Sequence, residues 1–318
     1  MLLFHEWELQ SSVIVTENSL NPPPFGSRDQ MVGDNPKKDN KMSSSETDSL
    51  CRQANEIRKD IIRMLVESAS GHPGGSLSAT DILTALYFKV LRHDPKNSKW
   101  ADRDRVVLSK GHGAPALYAA LAHSGYFPKE LLMTLRKLDS PLQGHPDRRR
   151  LPGIEASTGS LGQGLSIGIG MALARRLDKK DYWTYVILSD GETNEGQIWE
   201  AASFAAHNKV DHLISILDYN KYQLDGSCKE ILNMEPMIDK WKAFGWQVLE
   251  IDGHKMPEIL QALEKAKKIQ GQPVIIVAHT IKGKGVSFME NNNHFHGVSP
   301  TKEEGERALR ELEAYENA

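Results

Sequence analysis

Apolar residues recur every three or four positions between residues 50 and 69. Ala54, Ile57, Ile61, Met64 and Leu65 share one side of a helix there. The pattern stops at Ser70-Gly71-His72-Pro73-Gly74-Gly75, because glycine and proline both oppose a continuing helix. A second helix is predicted over 80–91, with Ile82, Leu83, Leu86 and Val90 on its buried face. Val106-Val107-Leu108 reads as a short buried strand running into Ser109-Lys110-Gly111-His112-Gly113, and a helix over 115–123 follows. The second half alternates more plainly. Apolar runs at 185–188, 213–217, 246–251 and 274–278 predict strands, and 195–208 and 257–269 predict helices. Residues 302–317 read as a charged terminal helix. The predicted fold class is α/β, a central parallel sheet with helices on both faces. Ligands gather at the carboxyl ends of strands in such sheets, and the glycine-rich and polar clusters fall at those ends.

Residues 1–48 show neither periodicity. They hold Pro22-Pro23-Pro24, a lysine–aspartate patch near Lys37 to Lys41 and Ser43-Ser44-Ser45, and are expected to form a disordered extension before one domain over 49–318. Met42 is an alternative start. A net charge of −3 gives no electrostatic case for general nucleic-acid or membrane binding. No apolar run reaches the roughly 18 residues of a spanning helix. The opening Met1-Leu2-Leu3-Phe4 is interrupted at once by His5, Glu6 and Glu8, so it lacks the form of a signal peptide. Two cysteines, Cys51 and Cys228, make no disulfide framework, and a reducing cytosol is the simplest setting. Arg148-Arg149-Arg150 reads as a solvated loop, with attraction of a phosphorylated substrate as the alternative.

The strongest chemical signal is Ser189-Asp190-Gly191-Glu192-Thr193-Asn194-Glu195-Gly196, followed by Asp218-Tyr219-Asn220. Asp-Gly alone is an ordinary turn. Here a carboxylate ends one strand and an amide ends the next, which brings Asp190 and Asn220 to one sheet edge. Both offer hard oxygen ligands, as Mg²⁺ requires, and Gly191 lets a phosphate approach the backbone. Together they read as a metal–diphosphate clamp.

This arrangement resembles the thiamine-diphosphate fingerprint, and five further segments narrow the resemblance to transketolases. They are Ser70 to Leu77, Leu108 to Gly113, Gln143-Gly144-His145-Pro146, Ser157 to Gly164 and Ile281-Lys282-Gly283-Lys284-Gly285, in the transketolase order, over about residues 50–300. The resemblance implies thiamine diphosphate as cofactor with Mg²⁺, for which Ca²⁺ or Mn²⁺ can substitute. It implies that Asp190, the Asn220 side chain and the Tyr222 carbonyl hold the metal, and that Gly191 and Asn220 face the diphosphate. Gly159, Ser160 and Leu161 would lie along the aminopyrimidine, Lys282 would approach the diphosphate, and Gly75 would sit near the cofactor. Glu195, and more weakly Glu200, would join an acidic network between paired sites.

Of twelve histidines, His72, His112, His145 and His296 match family positions that line the channel to the reactive carbon. Imidazole exchanges protons near neutral pH, as moving a ketol unit requires. The resemblance gives His72 and His296 to the reacting hydroxyls and carbonyl, His145 to the donor's terminal hydroxyl, and His112 to cofactor and substrate. Zinc is the rival reading, but these histidines lack the short spacing of a helix-borne zinc site. The implied reaction is reversible two-carbon transfer between sugar phosphates, as in the pentose phosphate pathway. The cofactor supplies the electronics.

Two departures stand out. Ser189 occupies a position where the family has glycine, and the family's pyrimidine-binding domain is absent. That domain carries the glutamate that activates the cofactor and the arginines that grip the sugar phosphate. The expectation is therefore a subunit that works only with a separate second subunit, in a cytoplasmic heterotetramer. The alternatives are a thiamine-diphosphate subunit that uses another acceptor or a 2-oxo acid, and a catalytically silent subunit.

Overall fold

The structure is a computed structural model and describes residues 44–316. The extension expected over 1–48 lies outside the described residues as far as residue 43. Its last five positions do not belong to it, because helix α1 runs Ser44–Ser68. Glu46 favours that early start, since an acidic residue in the first turn suits the positive end of a helix and here also pairs with Lys89.

In chain order the elements are α1, α2 (Pro73–Ser78), α3 (Thr80–Ala85), β1 (Arg105–Leu108), α4 (Ala114–His123), α5 (Gln163–Leu177), β2 (Thr184–Ser189), α6 (Gly196–His207), β3 (Leu213–Tyr219), α7 (Cys228–Ile231), α8 (Met237–Ala243), β4 (Gln247–Asp252), α9 (Met256–Lys267), β5 (Val274–His279) and α10 (Lys302–Glu316). The predicted 80–91 helix is α3 prolonged by a wider turn over Leu86–Val90. The five strands form one parallel sheet in the order β1-β2-β3-β5-β4. β2 and β3 are buried along their whole length, as the continuous apolar runs predicted.

Alternation along the strands sorts the core into two layers. Tyr185, Ile187, Ile214 and Ile276 pack with α1, α3, α4 and α9 on one face. Val186, Leu188, Leu217 and Ile275 pack with α5, α6 and α8 on the other. Right-handed crossovers require this division: the chain steps one way across the sheet through α5, α6 and α8, then back from β4 to β5 through α9. Each fully buried Leu or Ile in these layers contributes about 1.5–3 kcal/mol of transfer free energy.

Helix α5 shows no clear periodicity in the sequence, because Gly164, Gly168 and Gly170 interrupt it. Packing is the reason. A Cβ on Gly168 would stand 2.3 Å from Val186 Cγ2, so the bare backbone lets α5 press directly onto β2. Cys51 and Cys228 are both free thiols. Among the described residues, no helix is long and apolar enough to cross a membrane.

Gly168→Val is expected to lower stability by about 1–3 kcal/mol in urea denaturation, since a stiff strand residue cannot move aside. An unchanged midpoint would mean that α5 and β2 are not in close contact.

Candidate active site

The carboxyl ends of β1, β2, β3 and β5 meet along one edge of the sheet. Ser189 of β2 lies in register with Asp218 of β3, so the next turns bring Asp190 and Asn220 side by side. Both are buried. Asp190 Oδ1 accepts from the Gly191 N–H at 2.8 Å, and Oδ2 accepts from the Lys221 N–H. Asn220 Oδ1 accepts from the Tyr222 N–H at 3.1 Å, which folds the chain into a tight turn with Lys221 at φ 69°. A cavity of about 720 Å³ opens beside Asp190, Asn220 and Tyr222.

The charges at this edge are unbalanced. Burial, then the neighbouring Asp218 carboxylate, pushes Asp190 up to about 7. A buried carboxylate whose charge is opposed in this way, beside the Asn220 amide oxygen, suits a divalent cation. Lys282 has the opposite problem. Its amine is buried and its bonds go to neutral acceptors: the Gln223 carbonyl at 3.1 Å, Asn293 Oδ1 at 2.8 Å and His296 Nδ1 at 2.7 Å. Burial lowers it to about 8. An anionic group would relieve it. Gly191 lies between these charges, where a Cβ would come 2.8 Å from Gln223 Cβ. The donor set therefore fits a metal-bound diphosphate.

Two buried acidic groups, Asp218 and Glu192, build the frame, and the sequence assigns neither a role. Asp218 pairs with Lys110, both side chains being 0% exposed, and also accepts from Ser78 Oγ at 2.6 Å and from Thr280. Lys110 in turn donates to the Gly75 carbonyl at 2.8 Å. Burial opposes the Asp218 charge, but Lys110 and these hydroxyls hold it below the usual carboxylate range. Glu192 accepts from Ser109, from the Gly162 N–H at 2.7 Å and from the Ser189 N–H at 3.2 Å, so it ties three loops together.

His72, His112 and His296 converge, with ring centroids 5.3–5.8 Å apart. Burial drives His72 to about 4 and His296 to about 3, and holds His112 well below its ordinary value. Neutral imidazoles both donate and accept, as sugar hydroxyls require. His72 Nδ1 is buried with no hydrogen-bond partner among the described residues. His145 is exposed and covers Gly159, whose φ of 138° suits glycine and where a Cβ would stand 2.8 Å from the His145 ring. Ser160 and Glu195 are exposed, and the Leu161 carbonyl accepts from Gln197 at 3.1 Å. Glu195 and Glu200 are both exposed on α6 or its cap and contact none of the clustered histidines. Arg136, also unmarked in the sequence, lies beside His72 and His145 and donates to Ser70 Oγ at 2.9 Å. Its backbone φ of 58° marks a tight turn. Ser189, where the family usually has glycine, is buried, and its backbone N–H donates to Glu192 Oε2.

Residues 50–317 match the family model for the transketolase thiamine diphosphate binding domain. The chain is 52% identical to a 6-deoxy-6-sulfo-D-fructose transketolase subunit from Clostridium sp. (strain MSTE9), covering 86% of this chain and 98% of that one. It is 43% identical to an apulose-4-phosphate transketolase subunit from Phocaeicola vulgatus, covering 84% and 95%. It also superposes on transketolase from Leishmania mexicana with a TM-score of 0.79 at 32% identity, covering 84% of this chain and 41% of that one. The chain thus spans about two fifths of that longer transketolase.

Lys110→Met would leave Asp218 buried and unpaired, and is expected to cost about 3–5 kcal/mol by urea denaturation. Adding Asp218→Asn should recover much of that loss. If Lys110→Met costs under about 1 kcal/mol, water must reach Asp218.

The buried histidines predict the acid limb of stability. Their folded pKa values lie below the unfolded value near 6.5, so the unfolded chain takes up protons first and stability falls as pH drops from about 6.5 towards 4. Denaturation at pH 7 and pH 5 should show a smaller difference for His72→Asn/His296→Asn than for the wild type. Equal differences would contradict this.

Proposed function

Because the chain belongs to the transketolase family, as its thiamine-diphosphate-binding domain, we propose that it is the N-terminal subunit of a two-chain transketolase. It transfers a two-carbon ketol unit from a ketose to an aldose and needs a separate second subunit. The observation that carries this reading is the meeting, at one sheet edge, of the Asp190–Asn220 pair, the buried Lys282 amine and three neutral imidazoles. Bound thiamine diphosphate supplies the carbon nucleophile and the electron sink for carbon–carbon cleavage.

The chain's own residues supply the rest. Asp190, Asn220 and the Tyr222 carbonyl hold Mg²⁺, with Ca²⁺ or Mn²⁺ as substitutes. Lys282 and the Gly191 backbone neutralise and admit the diphosphate, while Gly159, Ser160, Leu161 and Gly75 line the cofactor's path. His72 and His296 hold and move the proton of the reacting hydroxyl, and the unpartnered His72 Nδ1 is free to bind it. His112 spans cofactor and substrate, and His145 binds the donor's terminal hydroxyl. Glu195, exposed beside Gly162, meets the paired site across a subunit interface. The proposed assembly is a heterotetramer with two sites, in a cytoplasmic setting.

A second reading concerns the far end of the donor. Arg136 stands beside His72 and His145, and Arg148, Arg149 and Arg150 are exposed three to five positions after His145, with Arg149 and Arg150 paired to Asp147. These charges favour a substrate with an anionic end. A sulfonate satisfies that as well as a phosphate, and 6-deoxy-6-sulfo-D-fructose names the substrate of one relative.

Both readings meet one experiment. Xylulose 5-phosphate, fructose 6-phosphate and 6-deoxy-6-sulfofructose are offered as donors with ribose 5-phosphate or glyceraldehyde 3-phosphate, thiamine diphosphate and Mg²⁺. The chain is tested alone and with the second subunit. Turnover is expected only in the mixture, reduced about 100-fold or more by Asp190→Ala. Full turnover by the chain alone would refute the two-chain reading. Preference for the sulfonated donor by kcat/KM would decide the second.

A further inference from the structure

Lys282 is the second residue after Thr280, which follows β5, so its amine can be aimed only if the preceding peptide is fixed. Most nearby N–H groups bond to carbonyls: Thr280 to Tyr219 at 3.3 Å and Gly283 to Gly74 at 3.0 Å. The Ile281 N–H instead donates to an imidazole nitrogen, Nε2 of His254, at 2.8 Å. His254 lies in the turn between β4 and α9, and its own N–H donates to Asp252 Oδ1 at 2.9 Å.

The other ring nitrogen, Nδ1, is 2.7 Å from Asp81 Oδ2. Since Nε2 accepts from a peptide, the ring's proton sits on Nδ1 and is donated to Asp81. Asp81 is held in turn by Arg58 of α1 through two bonds of 3.1 and 2.5 Å. Burial opposes the Asp81 charge, but Arg58 and His254 hold the carboxyl below the usual carboxylate range. Arg58 also supports the far end of the same loop, where a Cβ on Gly285 would stand 3.2 Å from Arg58 Cδ. A carboxylate on one ring nitrogen fixes both tautomer and ring plane. The chain of contacts runs from Arg58 through Asp81 and His254 to the Ile281 peptide, and the next side chain is Lys282.

We propose that His254 is a positioning residue for Lys282: Arg58 and Asp81 fix the ring, the ring fixes the Ile281 peptide, and the peptide aims the Lys282 amine at the anionic group of the ligand. This rests on the reading of Lys282 as a diphosphate-binding residue. His254 touches neither Asp190 nor the clustered imidazoles, so it acts through the loop alone.

The test combines binding and amide exchange. Mg²⁺–thiamine diphosphate is titrated by calorimetry into the full chain, alone and with the second subunit, for wild type, His254→Ala, His254→Gln, Lys282→Met and His254→Ala/Lys282→Met. His254→Ala is expected to weaken binding roughly tenfold. His254→Gln, whose Oε1 reaches the Nε2 position, should recover most of that affinity. Added to Lys282→Met, His254→Ala should change little, because the residue acts through Lys282. Hydrogen exchange at the Ile281 amide should speed up in His254→Ala and not in His254→Gln. Losses that add in the double variant, or binding unchanged in His254→Ala, would overturn the proposal. A wild type that fails to bind, or Lys282→Met that binds as the wild type does, would instead overturn the reading of the site. In that case the Ile281 exchange rate still decides whether His254 holds the loop.

Discussion

The buried pair of Lys110 and Asp218 is the constraint on which the rest of the site depends. Lys110 leaves β1 and Asp218 lies on β3, with β2 between them, so the pair bridges two strands that do not touch. Ser78 reaches it from α2 and Thr280 from the end of β5. Segments far apart in sequence therefore converge on one carboxylate. A charge with 0% exposure is tolerated only when its partners are fixed, so the pair forces the strand ends into a single arrangement. Asn220 and Lys282 stand two residues from Asp218 and Thr280, the Gly75 carbonyl accepts from Lys110, and Asp190 feels the Asp218 charge.

Glycines let the loops close on that frame. A Cβ on Gly111 would meet the Gly159 backbone at 2.6 Å, so the turn after β1 and the turn carrying residues 159–161 touch backbone to backbone. Glu192 then ties the same turns together by accepting from Ser109 and Gly162. Polar pins and bare backbones do different jobs: the pins fix direction, and the glycines set distance.

Much of this is legible in the sequence, for physical reasons. The five strands show as apolar runs, since each is flanked by turn residues and most are buried, and the Asp190–Asn220 pair follows from adjacent parallel strands. Helix α5 is hidden, because the glycines that let it approach Val186 erase its helical pattern. Asp218, Lys110 and Glu192 stand inside motifs but read as spacers, because burial of a charged group is a tertiary fact. His254 lies outside every motif, and nothing local marks it, since its partners Asp81 and Ile281 lie 173 and 27 positions away. Arg136 sits in a turn with no periodicity, so nothing local points to it.

The electrostatics of the site explain why the chain holds such a costly arrangement. Asp190 is driven up by burial and by Asp218, while Lys282 is driven down by burial with neutral partners around it. The Asp190 charge offsets only part of the burial penalty on Lys282, although both lie at the same sheet edge. Moving them together would stabilise the chain and would fill the space between them. A metal at Asp190 and an anion at Lys282 would cancel both penalties at once. A site whose charges are only half satisfied within the chain favours a ligand that carries the complementary charges.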